Sequence, residues 1–150
     1  MMNKKKRILI TIPLILCMAI ISMSMAFTSY DVSAATDEVS LLSVNVHQVD
    51  AAGGYMMYGL GANIKVKNLA YEKVVTIHYK NSYNDVWQDC AATYAYSIDG
   101  QYEVWYADPI FYSGYGSIEY SIKYEVAGQT YWDNNYGENY ITYTDGTTNM

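Results

Sequence analysis

The chain has 150 residues, of which 51% are hydrophobic and 15% aromatic, and it carries nine basic against fifteen acidic side chains. Four of the basic residues lie within the first seven positions. Beyond residue 34, five lysines and no arginine stand against fourteen acids, a net charge of −9. This charge repels nucleic-acid phosphates and anionic lipid headgroups, so both are poor partners and a neutral ligand fits better.

The first 34 residues have the layout of an export signal. Lys4 to Arg7 form a positive region, and Ile8 to Ile21 carry no charge. Val32-Ser33-Ala34 then offers the small residues that a signal peptidase reads, with Ser24-Met25-Ala26 as a second candidate. The uncharged run is shorter than the ~20 residues that span a bilayer, so cleavage is predicted, with an uncleaved membrane anchor as the alternative. We therefore expect a secreted or cell-surface protein of bacterial origin.

Cleavage after Ala34 predicts a single domain over residues 35–150, with its core at about 41–143. Cys17 leaves with the signal and Cys90 is alone, so this domain has no internal disulfide and depends on its core for stability. Cys90 opens an apolar segment, for which we expect a buried thiol rather than a nucleophile.

Period-two alternation recurs along the domain, and no segment shows a sustained helical stripe. Strands are predicted at 41–47, 55–60, 64–67, 75–79, 91–98, 102–107, 120–124, 130–133 and 140–144. Turn-forming pairs between strands are Gly53-Gly54, Asn84-Asp85, Asp99-Gly100, Ser113-Gly114 and Ala127-Gly128. In one strand Val75, Ile77 and Tyr79 share a face, and Thr76 and His78 share the other. This pattern predicts an all-β fold, an immunoglobulin-like antiparallel β-sandwich of about eight strands.

Aromatic residues exceed what the core requires, with seventeen tyrosines and three tryptophans beyond residue 34. Exposed rings in a β domain are typical of ligand surfaces. The segment Tyr131-Trp132-Asp133-Asn134-Asn135, followed by Asn139, combines a ring with amides. If Tyr131 faces the core, Trp132 faces outward, whereas Trp105 is expected in the core. A flat ring covers the C–H face of a sugar and an amide pairs with adjacent hydroxyls, so the segment predicts carbohydrate binding.

Three blocks of the sequence resemble carbohydrate-binding module family 21. They are Val66 to Val75 followed by Trp87, Ile122 to Val126, and Tyr131 to Asn135, and the resemblance covers roughly residues 41–143. The family comprises starch- and glycogen-binding modules of fungal glucoamylases and of glycogen-targeting subunits of type-1 protein phosphatase. The resemblance implies a non-catalytic module that binds an α-1,4-glucan such as starch, glycogen or malto-oligosaccharides.

The resemblance also implies two groups of site residues. The rings and polar side chains of the main site are Trp87, Trp132, Asn68, Lys73, Asp133, Asn134 and Asn139. The rings of a second, shallower site are Tyr71, Tyr94 and Tyr102. Ser121 departs from the pattern, because some relatives have a site aromatic there, while Tyr136 replaces another Asn and offers a ring in return.

Five of these assignments have a structural alternative. In the alternative, the Trp87 ring packs inward after a turn and the Asn68 side chain is a buried amide. Lys73 is then a solvated charge that discourages another strand from pairing with the sheet edge. Tyr71 and Tyr102 fit surface packing as well as ligand stacking.

No catalytic residue, cofactor or metal site is predicted. The acids are scattered, and no motif pairs two of them across a cleft as glycoside hydrolysis requires. His47 and His78 lie in strands, without a nucleophile elbow or zinc-ligand spacing. The functional alternative is a secreted immunoglobulin-like adhesin or interaction domain that binds protein through its tyrosines. The expected partners are α-glucan and a separate amylolytic enzyme, with a membrane only if the signal is uncleaved.

Overall fold

The computed structural model describes residues 36–50, 53, 56–81, 85–112 and 116–149. The predicted signal at 1–34 and the predicted turn Ser113-Gly114 lie outside the described residues, as do Gly54 and Asn84 of two other predicted turns. None of the described residues belongs to a helix with the length and hydropathy needed to cross a bilayer.

Within the described residues, ten antiparallel strands form two sheets. The strands are β1 (Val39–Asp50), β2 (Met56–Lys67), β3 (Lys73–Asn81), β4 (Gln88–Ala91), β5 (Thr93–Ile98), β6 (Tyr102–Ala107), β7 (Ile110–Tyr112), β8 (Ser117–Val126), β9 (Gln129–Asp133) and β10 (Tyr140–Tyr143). The first sheet has the order β1-β2-β6-β5, with β7 also on β2, and the second has the order β10-β8-β3-β4, with β9 also on β8. The all-β sandwich prediction is confirmed, but with ten strands instead of about eight.

Three of the predicted strand segments are joined or divided in the observed strands. Residues 56–60 of the segment predicted at 55–60, together with the segment predicted at 64–67, belong to one continuous strand, β2, of twelve residues, and Tyr55 lies outside the described residues. The segment predicted at 91–98 divides at Ala92, whose N–H donates to the carbonyl of Val75 at 2.8 Å. Here the chain changes sheets, because β4 pairs with β3 and β5 pairs with β6.

The sequence does not predict β7, because Pro109 immediately precedes it. Proline has no N–H to donate to a ladder, which argues against a strand at that point. The Pro109 carbonyl nevertheless accepts a hydrogen bond from the N–H of Leu60 at 3.0 Å, so the pairing with β2 continues into β7. Strands β9 and β10 are likewise both paired with β8, and a short 3-10 turn at Asn135–Gly137 separates them.

The core is built from side chains that alternate inward along facing strands. Its buried residues are Val39, Leu60, Ala62, Ile64, Val66, Val75, Ile77, Ala92, Ala107, Phe111, Ile118, Tyr120, Ile122, Tyr124, Val126 and Tyr140. Cys90 is half-buried and packs against this core, and burial raises the pKa of its thiol, which disfavours the reactive thiolate. On β8 the even-numbered residues are buried, so the odd-numbered ones face outward.

The buried tyrosines predict a loss of stability at alkaline pH. Burial raises the pKa of Tyr120 to about 12, and burial together with Asp133 raises the pKa of Tyr140 above its ordinary value. A tyrosine with a raised folded-state pKa stabilises the fold fully below pH ~10, and that contribution is lost as the pH rises through the folded-state pKa. For Tyr120 the shift corresponds to about 3 kcal/mol.

We therefore expect the free energy of unfolding, measured by urea titration, to fall between about pH 10 and pH 12. The variant Tyr120→Phe has no hydroxyl to ionise at this position and should lose less stability over the same interval. An equal loss in the variant and the wild type would show that Tyr120 does not contribute.

Candidate functional site

Two tryptophans and a histidine meet on the outer face of the second sheet. Trp132 lies on β9, His78 on β3, and Trp87 directly before β4. Trp132 faces outward because its two strand neighbours face inward: Tyr131 packs against the core and Asp133 is fully buried. The sheet thus presents three rings from three separate parts of the chain.

The His78 ring joins the two indoles. It is parallel to Trp87, with ring centroids 4.6 Å apart and planes inclined by 5°. It meets Trp132 edge-on, with centroids 6.1 Å apart and planes inclined by 78°. Because one indole is parallel to the imidazole and the other is steep to it, the two indole planes are steeply inclined to each other. Trp87 keeps 37% of its surface exposed and Trp132 is half-buried, so both rings have surface left for a ligand.

Ser121 forms part of the floor of this site. It is the cross-strand partner of His78, and Lys123, two residues on, is the partner of Trp132. Ser121 lies on the outer face of β8 but is only 5% exposed, so side chains of adjacent strands cover it. A small residue here leaves the space above β8 to the rings of the neighbouring strands.

A network of charged and amide groups borders the site on the Trp87 side. Lys80 Nζ lies 5.2 Å from the centroid of the Trp87 ring and pairs with Asp85 Oδ1 at 2.8 Å and Glu119 Oε2 at 3.2 Å. The hydrogen bonds to Asp85 and then Glu119 raise the pKa of Lys80 and keep it charged. Glu119 Oε1 accepts a hydrogen bond from Asn139 Nδ2 at 2.8 Å. The network therefore links Asn139 to the lysine that contacts Trp87.

The loop between β9 and β10 is held together by its asparagines. Asn134 Oδ1 accepts a hydrogen bond from the N–H of Gly137 at 3.0 Å, and the Asn134 carbonyl accepts one from the N–H of Asn139 at 2.8 Å. Asn135 Nδ2 donates to the Asn139 carbonyl at 3.1 Å. Asn135, Tyr136 and Asn139 have φ values of 50°, 59° and 57°, a left-handed conformation that asparagine tolerates better than most residues. The asparagines thus have a structural role as well as a candidate binding role.

Asp133 lies beneath the site and does not reach the surface. Its side chain is fully buried, and its Oδ2 accepts a hydrogen bond from the N–H of Leu41 on β1 at 2.8 Å. The hydroxyl of Tyr140 lies 2.9 Å from both carboxylate oxygens. The sequence assignment of Asp133 to the ligand contacts is therefore corrected: alternation along β9 turns it inward, where it joins β9 to β1 and β10.

Asn68 and Lys73, assigned with the tryptophans from the sequence, lie in a different cluster. Lys73 begins β3, five residues from His78, and five residues of strand span roughly 17 Å. Its side chain is only 3% exposed, and its Nζ donates to Glu103 Oε2 at 2.9 Å and to Asn68 Oδ1 at 2.5 Å. Lys73 is thus neither beside the tryptophans nor a solvated edge charge.

Two aromatic residues belong to this second cluster. Trp105 Nε1 donates to the same Glu103 oxygen at 2.9 Å, and its ring packs against the core as expected. Tyr94 is its cross-strand partner and meets it edge-on, with centroids 6.1 Å apart. Tyr94 is 54% exposed, and Tyr71, which follows Asn68 in the β2–β3 connection, is 94% exposed.

Tyr102 lies on the other face of its sheet, because it precedes Glu103 along β6. Its hydroxyl donates to Asp37 Oδ1 at 2.9 Å, and Lys65 Nζ lies 5.0 Å from its ring centroid. The structure therefore separates Tyr102 from the cluster around Glu103.

Comparison with known families identifies the module. The family model described as carbohydrate/starch-binding module (family 21) matches residues 33–142. The chain belongs to this family. This confirms the family that the three sequence blocks resemble.

Relatives of this family-21 module include parts of much longer proteins. It is 41% identical over 90 residues to glucoamylase 1 of Rhizopus oryzae, a match that covers 57% of this chain and 14% of that protein. It is 37% identical over 86 residues to human (Homo sapiens) protein phosphatase 1 regulatory subunit 3B, covering 54% of this chain and 30% of the subunit. The chain therefore spans less than a third of either relative.

A solved structure agrees with the family-21 fold. The starch-binding domain of Rhizopus oryzae glucoamylase, in complex with β-cyclodextrin and maltoheptaose, is similar with a TM-score of 0.52 and 35% identity. The match covers 72% of this chain and 92% of that domain. The carbohydrate-binding module of the muscle glycogen-targeting subunit of protein phosphatase-1 matches with the same TM-score at 25% identity, covering 69% of this chain and 73% of that module.

His78 is the residue of this family-21 module's candidate site that sequence reasoning misses. Alternation along β3 does turn it outward, opposite Val75 and Ile77. Nothing local indicates that it meets two tryptophans, because Trp87 comes after a turn and Trp132 lies on a distant strand.

Proposed function

We propose that this protein binds an α-1,4-glucan, such as starch, glycogen or malto-oligosaccharides, and does not catalyse a reaction on it. The observation that carries the proposal is the steep inclination of Trp87 to Trp132 around His78. Flat β-1,4-linked chains suit coplanar rings. An α-1,4-glucan curves, so successive glucose faces turn and suit two inclined walls. β-Cyclodextrin and maltoheptaose, the ligands of the related glucoamylase domain, are both α-1,4-linked.

The free energy for binding would come mainly from the two indoles. Covering roughly 100 Å² of apolar sugar surface is worth ~2.5 kcal/mol for each ring. Asn139 uses one amide hydrogen for Glu119 and retains its other donor and its oxygen for hydroxyls, while Asn134 retains its Nδ2. After the cost of association, dissociation constants of about micromolar to millimolar are expected.

We propose a second, weaker site at the cluster around Glu103. Tyr94 and Tyr71 would supply exposed rings, and Asn68 and Lys73 would act here instead of beside the tryptophans. Lys73 is too buried for extensive ligand contact, so its role is to hold Asn68 and Glu103 in place. Two sites on one domain would raise the avidity for a polymer.

Native electrophoresis in gels with and without soluble starch tests the function. We expect starch to retard the protein, and maltoheptaose but not cellohexaose to give a binding signal in calorimetry. The alternative, an adhesin that binds protein through its tyrosines, predicts no retardation at any starch concentration. That outcome, with no calorimetric signal from maltoheptaose, would refute the α-glucan proposal.

The second site is tested by a pair of variants on one strand. Tyr94→Ala should lower the stoichiometry of maltoheptaose from about two to one and weaken retention on starch about three- to tenfold. Tyr96→Ala is the matched control. Tyr96 is equally exposed on β5, but it is the cross-strand partner of Val104 and faces the other side of the sheet. Equal binding by the two variants would show that Tyr94 is not part of a site.

The setting of this activity is also part of the proposal. The charge pattern of residues 1–34 supports export, and an exported module would hold α-glucan in solution or at the cell surface. A separate amylolytic enzyme that degrades the captured glucan is the partner that this role implies.

A further inference from the structure

We infer that His78 is a positioning residue of the α-glucan site: its ring sets the angle between Trp87 and Trp132. The inference rests on the proposed function, because the angle matters for binding only if the two indoles share one ligand. His78 contacts both indoles, one face-on and the other edge-on. Each indole is therefore oriented against the same imidazole.

The imidazole is itself held in place. Its Nδ1 lies 2.6 Å from Asp89 Oδ1, and Asp89 is its cross-strand partner on β4. Of the three rings, His78 is the one on an inner strand, since β3 pairs with both β4 and β8. Trp87 precedes an edge strand and Trp132 lies on one. The imidazole, on an inner strand, thus lies between two indoles that are positioned at edge strands.

Among the described residues, the outward neighbours of His78 on β3 and β8 offer no planar substitute for this ring. On β3 its outward neighbours are Thr76 and Lys80, and its partner on β8 is Ser121. These side chains are small or flexible, so they would leave the facing surfaces of the two indoles without a flat support. Removing the ring should therefore widen the range of angles that the indoles adopt and raise the cost of ordering them on binding.

The chain provides a matched control in its other histidine. His47 lies on β1, on the outer face of the first sheet, and its Nε2 is 3.3 Å from Asp108 Oδ2. Its side chain is 39% exposed, against 34% for His78. The two histidines thus have similar exposure and each has its own aspartate partner, but they lie on opposite faces of the sandwich.

Calorimetric titration with maltoheptaose of the wild type, His78→Phe, His78→Leu and His47→Leu tests the inference. His78→Phe keeps a flat ring and should bind within about threefold of the wild type, whereas His78→Leu should bind at least about tenfold more weakly. His47→Leu should bind like the wild type. Near-ultraviolet circular dichroism should show altered tryptophan bands in His78→Leu and retained bands in His78→Phe.

Wild-type affinity in a folded His78→Leu variant would overturn the inference, as would equal losses in His78→Leu and His78→Phe. If His78→Leu fails to fold, a loss of more than about threefold in His78→Phe overturns it instead. Failure of the wild type to bind both maltoheptaose and soluble starch refutes the proposed function separately. The tryptophan bands then still decide whether His78 positions the indoles, because unchanged bands in His78→Leu would refute that role.

Discussion

Replacing Trp132 by alanine should weaken maltoheptaose binding at the main site at least about tenfold, and replacing Trp87 as well should abolish that site and leave only the weaker one around Glu103. Loss of the apolar contact of one ring costs up to ~2.5 kcal/mol, and tenfold corresponds to ~1.4 kcal/mol. Both rings lie on the outer face of the sheet, so their removal should leave the core and the unfolding temperature nearly unchanged. Calorimetry with maltoheptaose, paired with thermal unfolding of each variant, measures the two effects separately.

Tyr106 supplies the matched control for this result. It is exposed to the same extent as Trp87, at 37%, but lies on the outer face of the first sheet. Tyr106→Ala should therefore bind maltoheptaose like the wild type. If Tyr106→Ala and Trp132→Ala lose the same affinity, the effect is a general consequence of losing a surface ring and the inclined indoles are not the site.

The sequence predicts the sandwich well because alternation is a local property. Each strand whose inward residues form the core can be recognised from its own residues, as β3 and β8 show. The change of sheet at Ala92 and the strand after Pro109 are not predicted, because both depend on pairing with strands distant in sequence. The same distinction explains His78, whose outward direction is local but whose two aromatic partners are not.

Alternation also gives a better account of two site residues than resemblance does. The argument that turns Trp132 outward because Tyr131 faces inward turns Asp133 inward as well. Lys73 has the same parity as Val75 and Ile77, so it too belongs to the inner side of its strand. Both were assigned to the main site by position in the family pattern, and the strand period places them elsewhere.

Asp133 should be essential for stability because its carboxylate is buried and hydrogen-bonded. The same burial keeps it away from the ligand surface. Its carboxylate accepts hydrogen bonds from the N–H of Leu41 and the hydroxyl of Tyr140, and the first of these joins two sheets. An Asp133→Ala variant would leave both donors buried without an acceptor, at about 1–3 kcal/mol each, and would open a cavity. We expect the free energy of unfolding, measured by urea titration, to fall by at least about 3 kcal/mol.

Asp145 provides the control, because it is a carboxylate in an exposed loop whereas Asp133 is buried. It follows β10 and accepts hydrogen bonds from the N–H and hydroxyl of Thr147 at an exposed position, so Asp145→Ala should change stability little. Because Asp133 lies between Trp132 and Asn134, loosening it should also weaken maltoheptaose binding in the fraction that stays folded. Stability of Asp133→Ala equal to that of Asp145→Ala would show that the buried carboxylate does not hold the sheets together. Reduced stability with unchanged affinity would instead show that the indole and amide are positioned by the rings above the sheet and not by the carboxylate beneath it.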